Sequence, residues 1–176
     1  TSSSPTSATD SAHSAADAAH SLRSAPMAKP HFRAGVVTVV RRDDGCVMAF
    51  ERSDLSGEWQ LPQGGIETGE SAEQAAWREL REGTGLSKRQ VRLVAEHDRW
   101  TVYEWPTAMR ASERLGQVHR WFFFEPLDAA VAPTPDGSEF IGWRWMRPDE
   151  LIDRVVEFRK EPYRQVFGAA FGASRG

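Results

Sequence analysis

The stretch from Gly64 to Leu86, GGIETGESAEQAAWRELREGTGL, leaves this chain few choices. Two adjacent glycines open a loop that runs through Gly69, and glycine lets a backbone come close to another group. Ser71 is a good helix N-cap, and Gln74 completes a capping box in which two orphan amides are satisfied reciprocally. Ala72 to Leu80 is rich in strong helix formers, and Gly85 suits the C-terminal cap. Glu79 and Glu82 therefore fall on one helix face, where like charges are mildly unfavourable unless a cation sits between them. Hard oxygen ligands on a helix face suit Mg²⁺ or Mn²⁺, held by few carboxylates plus the phosphates of a substrate. The bland alternative is a charged, solvated helix face.

The pattern decides against that alternative. It resembles the Nudix box: Gly64, Glu70, Arg78, Glu79, Glu82 and Gly85 match as identities, and Leu80 and Leu86 match as apolar positions. At about 7% usage for a common residue, six such identities coincide by chance about once in ten million starts. The resemblance implies a metal-dependent hydrolase of phosphoanhydride bonds. It implies that the Gly64 carbonyl, Glu79 and Glu82 are metal ligands, and that Arg78 and Glu70 pin the loop, with Gly65, onto the helix. One position departs from the box. Gly83 stands where the family has a second glutamate that is commonly a ligand, which points to weaker metal binding or a slower enzyme. Glu58 or Glu67 is a candidate to replace it.

The flanking sequence reads as α/β. Ala34–Val40 is a β-branched run expected as a buried strand, with a turn at Asp43-Asp44-Gly45 and Cys46–Phe50 returning as its partner. Trp59–Leu61, Val91–Glu96, Val118–Glu125 and Phe140–Met146 read as further strands, and Trp100 to Arg114 as strand and loop. Pro148–Phe158 reads as a helix with Leu151, Ile152, Val155 and Val156 on one stripe, and a last helix runs from Pro162 to Ala170. The resemblance implies the Nudix fold, a mixed β-sheet sandwiched between α-helices, over residues 31–172. Residues 1–30 are mostly Ser, Ala and Thr, too poor in large apolar groups to offset their ordering entropy, and are expected to be a disordered tail, with Met27 a candidate natural start.

Likeness extends beyond the box. Trp59-Gln60-Leu61-Pro62-Gln63-Gly64-Gly65 is similar to the RNA pyrophosphohydrolase and diadenosine polyphosphate hydrolase branch. So are Gly116-Gln117 ahead of Trp121-Phe122, Glu139-Phe140 with Trp143-Arg144-Trp145, and Val155 to Arg159 with Tyr163. That resemblance makes Glu139 a further metal ligand or the base, so that either Glu79 or Glu139 takes the proton from water. Val156, Phe158 and Arg159 would form the cleft for a nucleotide base, against core packing as the bland reading of Val156 and Phe158. Arg52, Gln63, Tyr103 and Gln117 are candidates to touch phosphate, against plain surface polarity. His97, His119 and Arg120 have no catalytic spacing and are expected to be surface or satisfied residues. Cys46 is expected to be buried and inert.

Composition sets the remaining bounds. The net charge of −3 gives no general attraction to nucleic acid, so a polyanionic substrate needs a metal or a local basic patch. Arg154, Arg159, Lys160 and Arg164 are available as such a rim, unless they are only a solvated face. A single cysteine rules out an intrachain disulfide, and no apolar run reaches the ~18 residues of a membrane span, so a cytoplasmic enzyme is the expectation. The expected substrate is a nucleoside polyphosphate, either 5′-triphosphorylated RNA or a dinucleoside polyphosphate. The alternative from another class is a nucleotide- or RNA-binding module impaired in catalysis by Gly83.

Overall fold

The computed structural model describes residues 28–172, so the tail read at 1–30 falls, apart from its last residues, outside the described part, as does Met27. Strands β1 (His31–Val40), β4 (Gln63–Gly65), β5 (Val91–Glu96), β6 (Thr101–Glu104) and β7 (Arg114–Pro126) form one sheet. Its order is β4-β1-β7-β5, with β6 also paired to β7. β1 runs parallel to β7 and antiparallel to β4, so this sheet is mixed. Strands β2 (Val47–Arg52), β3 (Trp59–Gln60) and β8 (Phe140–Met146) form a second, antiparallel sheet in the order β3-β2-β8. The helices are α1 (Ala72–Thr84), α2 (Pro148–Arg154) and α3 (Lys160–Gly172). None of the described helices is long and apolar enough to cross a membrane.

The β-branched run of β1 sits at the centre because both its faces are covered. Val36 and Val40 pack with Leu80, Ala75 and Ala76 of α1 and with Phe122 and Phe124. Val37 and Val39 pack on the other side with Trp121, Leu151, Tyr163 and Phe167. A strand alternates its side chains between faces, so one uncharged run serves two cores. Burial of each such side chain is worth roughly 1.5–3 kcal/mol.

Two sequence expectations fail here. The turn at Asp43-Asp44-Gly45 forms, with the Gly45 amide donating to the Arg42 carbonyl at 3.0 Å and Gly45 at φ 82°. Yet the strand after it does not pair with β1 beyond a single bridge at Arg41 and Val47. Both edges of β1 are taken, by β4 and β7, and β2 instead pairs with β3 and β8. A short turn alone does not choose the partner. The second failure is the helix read through Phe158. α2 stops at Arg154, and Val155 and Val156 are extended, with ψ of 148° and 141°. Val155 is buried in the core, which two adjacent β-branched residues achieve more easily in extended backbone than in a helix. A short 3₁₀ turn, Glu157–Arg159, follows, and α3 begins at Lys160 rather than Pro162. Pro162 is tolerated because it lies in the first turn.

Candidate active site

The loop after β4 is held to α1 by one guanidinium. Ser71 and Gln74 form the capping box, at 3.1 and 2.8 Å, and Gly85 closes the helix in the left-handed region at φ 71°. Within this fixed helix Arg78 donates to both oxygens of Glu70, at 2.8 and 2.9 Å, and to the Gly65 carbonyl at 2.8 Å. Its remaining nitrogen donates to Glu79 at 2.6 Å and Glu82 at 3.3 Å. Glu70 also accepts from the Glu67 amide at 3.0 Å. Arg78 beside it, helped by that amide against some loss of water, holds the Glu70 carboxyl below the usual carboxylate range. The cation between Glu79 and Glu82 is thus in part an arginine. Both loop glycines let a charged side-chain end come close to the backbone. A Cβ on Gly64 would lie 2.0 Å from the Glu79 carboxyl, and one on Gly65 would lie 2.2 Å from the Arg33 guanidinium.

A cleft of about 270 Å³ opens beside this clamp, and four of the residues named from sequence line it: Arg52, Gln63, Glu139 and Arg159. Arg52 is held by Asp54 at 2.6 and 2.9 Å. Glu139 stands just before β8, on a loop organised by Asp136, whose carboxylate accepts from the amides of Ser138, Glu139 and Phe140. Glu139 is exposed as a residue, but its carboxyl tip is partly buried where it accepts from Gln60 Nε2 at 3.1 Å. Loss of water there, then the charges of Asp136 and Glu79, push its proton affinity up. No Lys or Arg nitrogen lies within ion-pair distance of Glu139 among the described residues, whereas Glu70, Glu79 and Glu82 share one.

Arg159, on the wall of the cleft, packs against two aromatic rings. The rings of Tyr103 and Phe158 lie 5.5 Å apart, and the Arg159 guanidinium lies over both, at 5.7 and 5.6 Å. The break at Val155-Val156 is what brings Phe158 and Arg159 here. Phe158 and Val156 are only half-buried, so neither is plain core. Tyr103 and Gln117 are buried and hydrogen-bonded to each other, which overturns surface polarity as their reading.

His119 is a correction of another kind. It is neither on the surface nor satisfied: it is 2% exposed, and its Nε2 has no hydrogen-bond partner. Burial, then the nearby cations Arg159 and Arg33, push its pKa down to about 3. His97 is half-buried near Asp98, and Arg120 pairs with Glu96 and lies over Trp100. Cys46 is only half-buried, because it sits in the turn before β2 rather than in the strand. Arg154, Lys160 and Arg164 each pair with a nearby glutamate, Glu150, Glu157 or Glu161, so that rim is largely compensated.

Two residues in or near the site had no role expected from sequence. Arg33 packs against Gly65. Gln60 is 3% exposed yet polar at both ends, and a glutamine inside an otherwise apolar strand was the available signal.

Oxygen donors converge here in a way that fits a hard divalent ion. The Glu79 carboxylate occupies the space that a Cβ on Gly64 would fill, so the loop backbone and the carboxylate lie close together. Among the described residues no three Asp, Glu, His or Cys side chains are grouped closely enough to hold an ion by themselves. The set is one of few carboxylates completed by a carbonyl and substrate oxygens, which is how Mg²⁺ is usually bound. The missing box glutamate has a structural counterpart: a Cβ on Gly83 would lie 3.2 Å from the Phe140 ring.

Known proteins similar to this chain share its family and fold. The family model described as NUDIX domain matches residues 30–166. An RNA pyrophosphohydrolase of Zymomonas mobilis is 35% identical, covering 81% of this chain and 96% of its own length. One from Dinoroseobacter shibae is 39% identical over 78% of this chain and 91% of its own. Among solved structures, the Escherichia coli dihydroneopterin triphosphate pyrophosphohydrolase is similar in fold, with TM-score 0.63 and 21% identity over 76% of this chain and 95% of its own. A Caenorhabditis elegans Ap4A hydrolase reaches TM-score 0.60 at 18% identity, over 80% and 98%.

Proposed function

The chain belongs to the NUDIX family of hydrolases, and from that premise we propose that it cleaves the phosphoanhydride chain at the 5′-triphosphate end of RNA, with dinucleoside polyphosphates as the next substrate class. The observation that carries the reading is the cleft itself. One cavity has the carboxylate of Glu139 and the guanidinium groups of Arg52 and Arg159 on its wall, and the rings of Tyr103 and Phe158 lie against Arg159. That is room for a base on an aromatic ring and phosphates next to cations. The names of the RNA pyrophosphohydrolase relatives favour RNA as the first substrate.

Gly64, Glu79, Glu82 and Glu139 would hold Mg²⁺ or Mn²⁺, which supplies charge neutralisation on the phosphate oxygens and orients water. The chain's own part is protonic and positional. A water oxygen bonds to phosphorus as the bond to the bridging oxygen breaks, pyrophosphate leaves, and a 5′-monophosphate remains. The proton released by the water goes to a carboxylate. Glu139 suits that task better than Glu79, because Arg78 already donates to Glu79 while only a neutral amide donates to Glu139.

The test is product analysis on 5′-triphosphate RNA and diadenosine tetraphosphate in parallel, with Mg²⁺ and then Mn²⁺. Faster release of pyrophosphate from the RNA, abolished in Glu79→Gln, is expected. Faster conversion of the dinucleotide would move the reading to the second class. Gly83 favours one further reading, because Phe140 lies against the position where the box has a carboxylate. A protein that binds either substrate but turns over neither would be a binding module.

A further inference from the structure

Gln60 lines the cleft and is hydrogen-bonded to two of its other lining residues, Arg159 and Glu139. Its Oε1 accepts from Arg159 Nη1, and its Nε2 donates to Glu139 Oε1 at 3.1 Å. The direction of this chain is dictated by chemistry. A guanidinium only donates, so the amide oxygen must face Arg159. The amide nitrogen must then face Glu139, and that carboxyl oxygen must be an acceptor. The glutamine has no second orientation that satisfies both neighbours.

The backbone around this chain is anchored at both ends. β3 is paired to β2 through Gln60 and Phe50. The next residue, Leu61, donates its amide to the Tyr163 hydroxyl at 3.0 Å, and Tyr163 is buried on α3 beyond Arg159. Gln60 and Arg159 are therefore each close in sequence to one end of a single buried contact. Gln60 itself is almost wholly buried, so an amide turned away from either partner would leave a polar group unsatisfied at a cost.

We propose that Gln60 is a positioning residue: through its amide, Arg159 on the substrate side sets the orientation of the Glu139 carboxylate. This rests on the reading of Glu139 and Arg159 as parts of the hydrolytic cleft. Arg159 then contributes twice, once by contact with substrate and once by holding Gln60. Removing Arg159 should harm the chemical step only while Gln60 is present to be misplaced.

The experiment combines kinetics with a readout that needs no turnover. Gln60→Leu should lower kcat about tenfold and change KM by less than about twofold. Arg159→Ala should lower kcat about tenfold in the wild-type background, but less than about twofold when added to Gln60→Leu. Its effect on KM should be the same in both backgrounds. Equal kcat effects in the two backgrounds would overturn the proposal, as would a Gln60→Leu defect confined to KM. If Gln60→Leu does not fold, Gln60→Met takes its place. In parallel, the Gln60 side-chain amide is followed by ¹⁵N NMR, assigned by its loss in the variant. Glu139→Gln and Arg159→Ala should each shift it, and indifference to both would mean that the relay does not exist. A relay seen by NMR in a protein without turnover would instead count against the hydrolase reading alone.

Discussion

Glu70 and Glu139 are the same amino acid in two settings of one site, and their protons are held in opposite ways. Glu70 is gripped at both oxygens by Arg78 and backed by an amide, so its carboxyl is easier to ionise than usual. Glu139 has a neutral amide as partner, loses water, and sits in the field of Asp136 and Glu79, so its carboxyl is harder to ionise. A carboxylate whose charge is compensated makes a good strut and a poor proton acceptor. One whose charge is only partly compensated is the reverse. Glu70 therefore holds the loop, while Glu79 takes a single hydrogen bond from the same Arg78.

The contrast can be broken most forcefully at Glu79. Glu79→Gln is expected to reduce turnover about 10³-fold by pyrophosphate release. A loss below tenfold would place Glu79 with the struts. Glu139→Gln should cost about 10²-fold with little change in stability, and an unaffected rate would mean that its unusual setting has no chemical use. Arg78→Met attacks the strut. With Arg78 and Glu70 only 18% and 15% exposed, urea unfolding should report a loss of about 2–3 kcal/mol, discounted from the value for a fully buried pair.

Acid extends the comparison to a base. His119 is neutral in the fold, with a pKa of about 3 against about 6.5 when unfolded, so the unfolded chain takes up the proton first. Its contribution is fully present above pH 6.5 and is lost as pH falls toward 3. At pH 5 the loss is about 2 kcal/mol, and His119→Gln should flatten that limb of the stability profile. Glu139 acts with the other sign. Its raised proton affinity stabilises the fold below the unfolded pKa, and that stabilisation disappears as pH rises through the folded value. The smallest effect belongs to Gly83→Ala. The helix gains up to about 1 kcal/mol, offset by the shift that Phe140 must make, so the unfolding midpoint should move only slightly upward.

What was legible in the sequence follows from how local the cause is. The capping box and the Gly85 cap are set by residues a few positions apart and were readable from spacing, while the clamp of Arg78 on Glu70 came from the resemblance to the box. The branch motifs led to Gln63, Glu139 and Arg159, which meet Arg52 in one cleft although they come from distant parts of the chain. Strand pairing was not readable where a turn was followed by two possible sheets, because the choice depends on β4 and β7 filling the edges of β1 first. The end of α2 was missed because an apolar stripe fits both a helix and the extended pair Val155-Val156 that the core prefers. His119 and Gln60 were missed for a related reason. Burial of a polar side chain is decided by its neighbours in space, and the spacing of residues carries little of that.

The parallel pairing of β1 with β7 has a consequence for how the chain comes into being. Residue 31 lies beside residue 114 and residue 40 beside residue 124, so the central strand must wait for a partner far along the chain. The entropy of closing that loop must be met before the pairing returns any stabilisation, which slows folding. During synthesis, β4 can cover one edge of β1 early, but the other edge stays open until β7 has left the ribosome. The uncharged run Ala34–Val40 is then an unpaired, β-prone edge. A nascent chain stalled before residue 114 should be captured by chaperones or aggregate, whereas the full chain should fold once β7 and the elements after it are released.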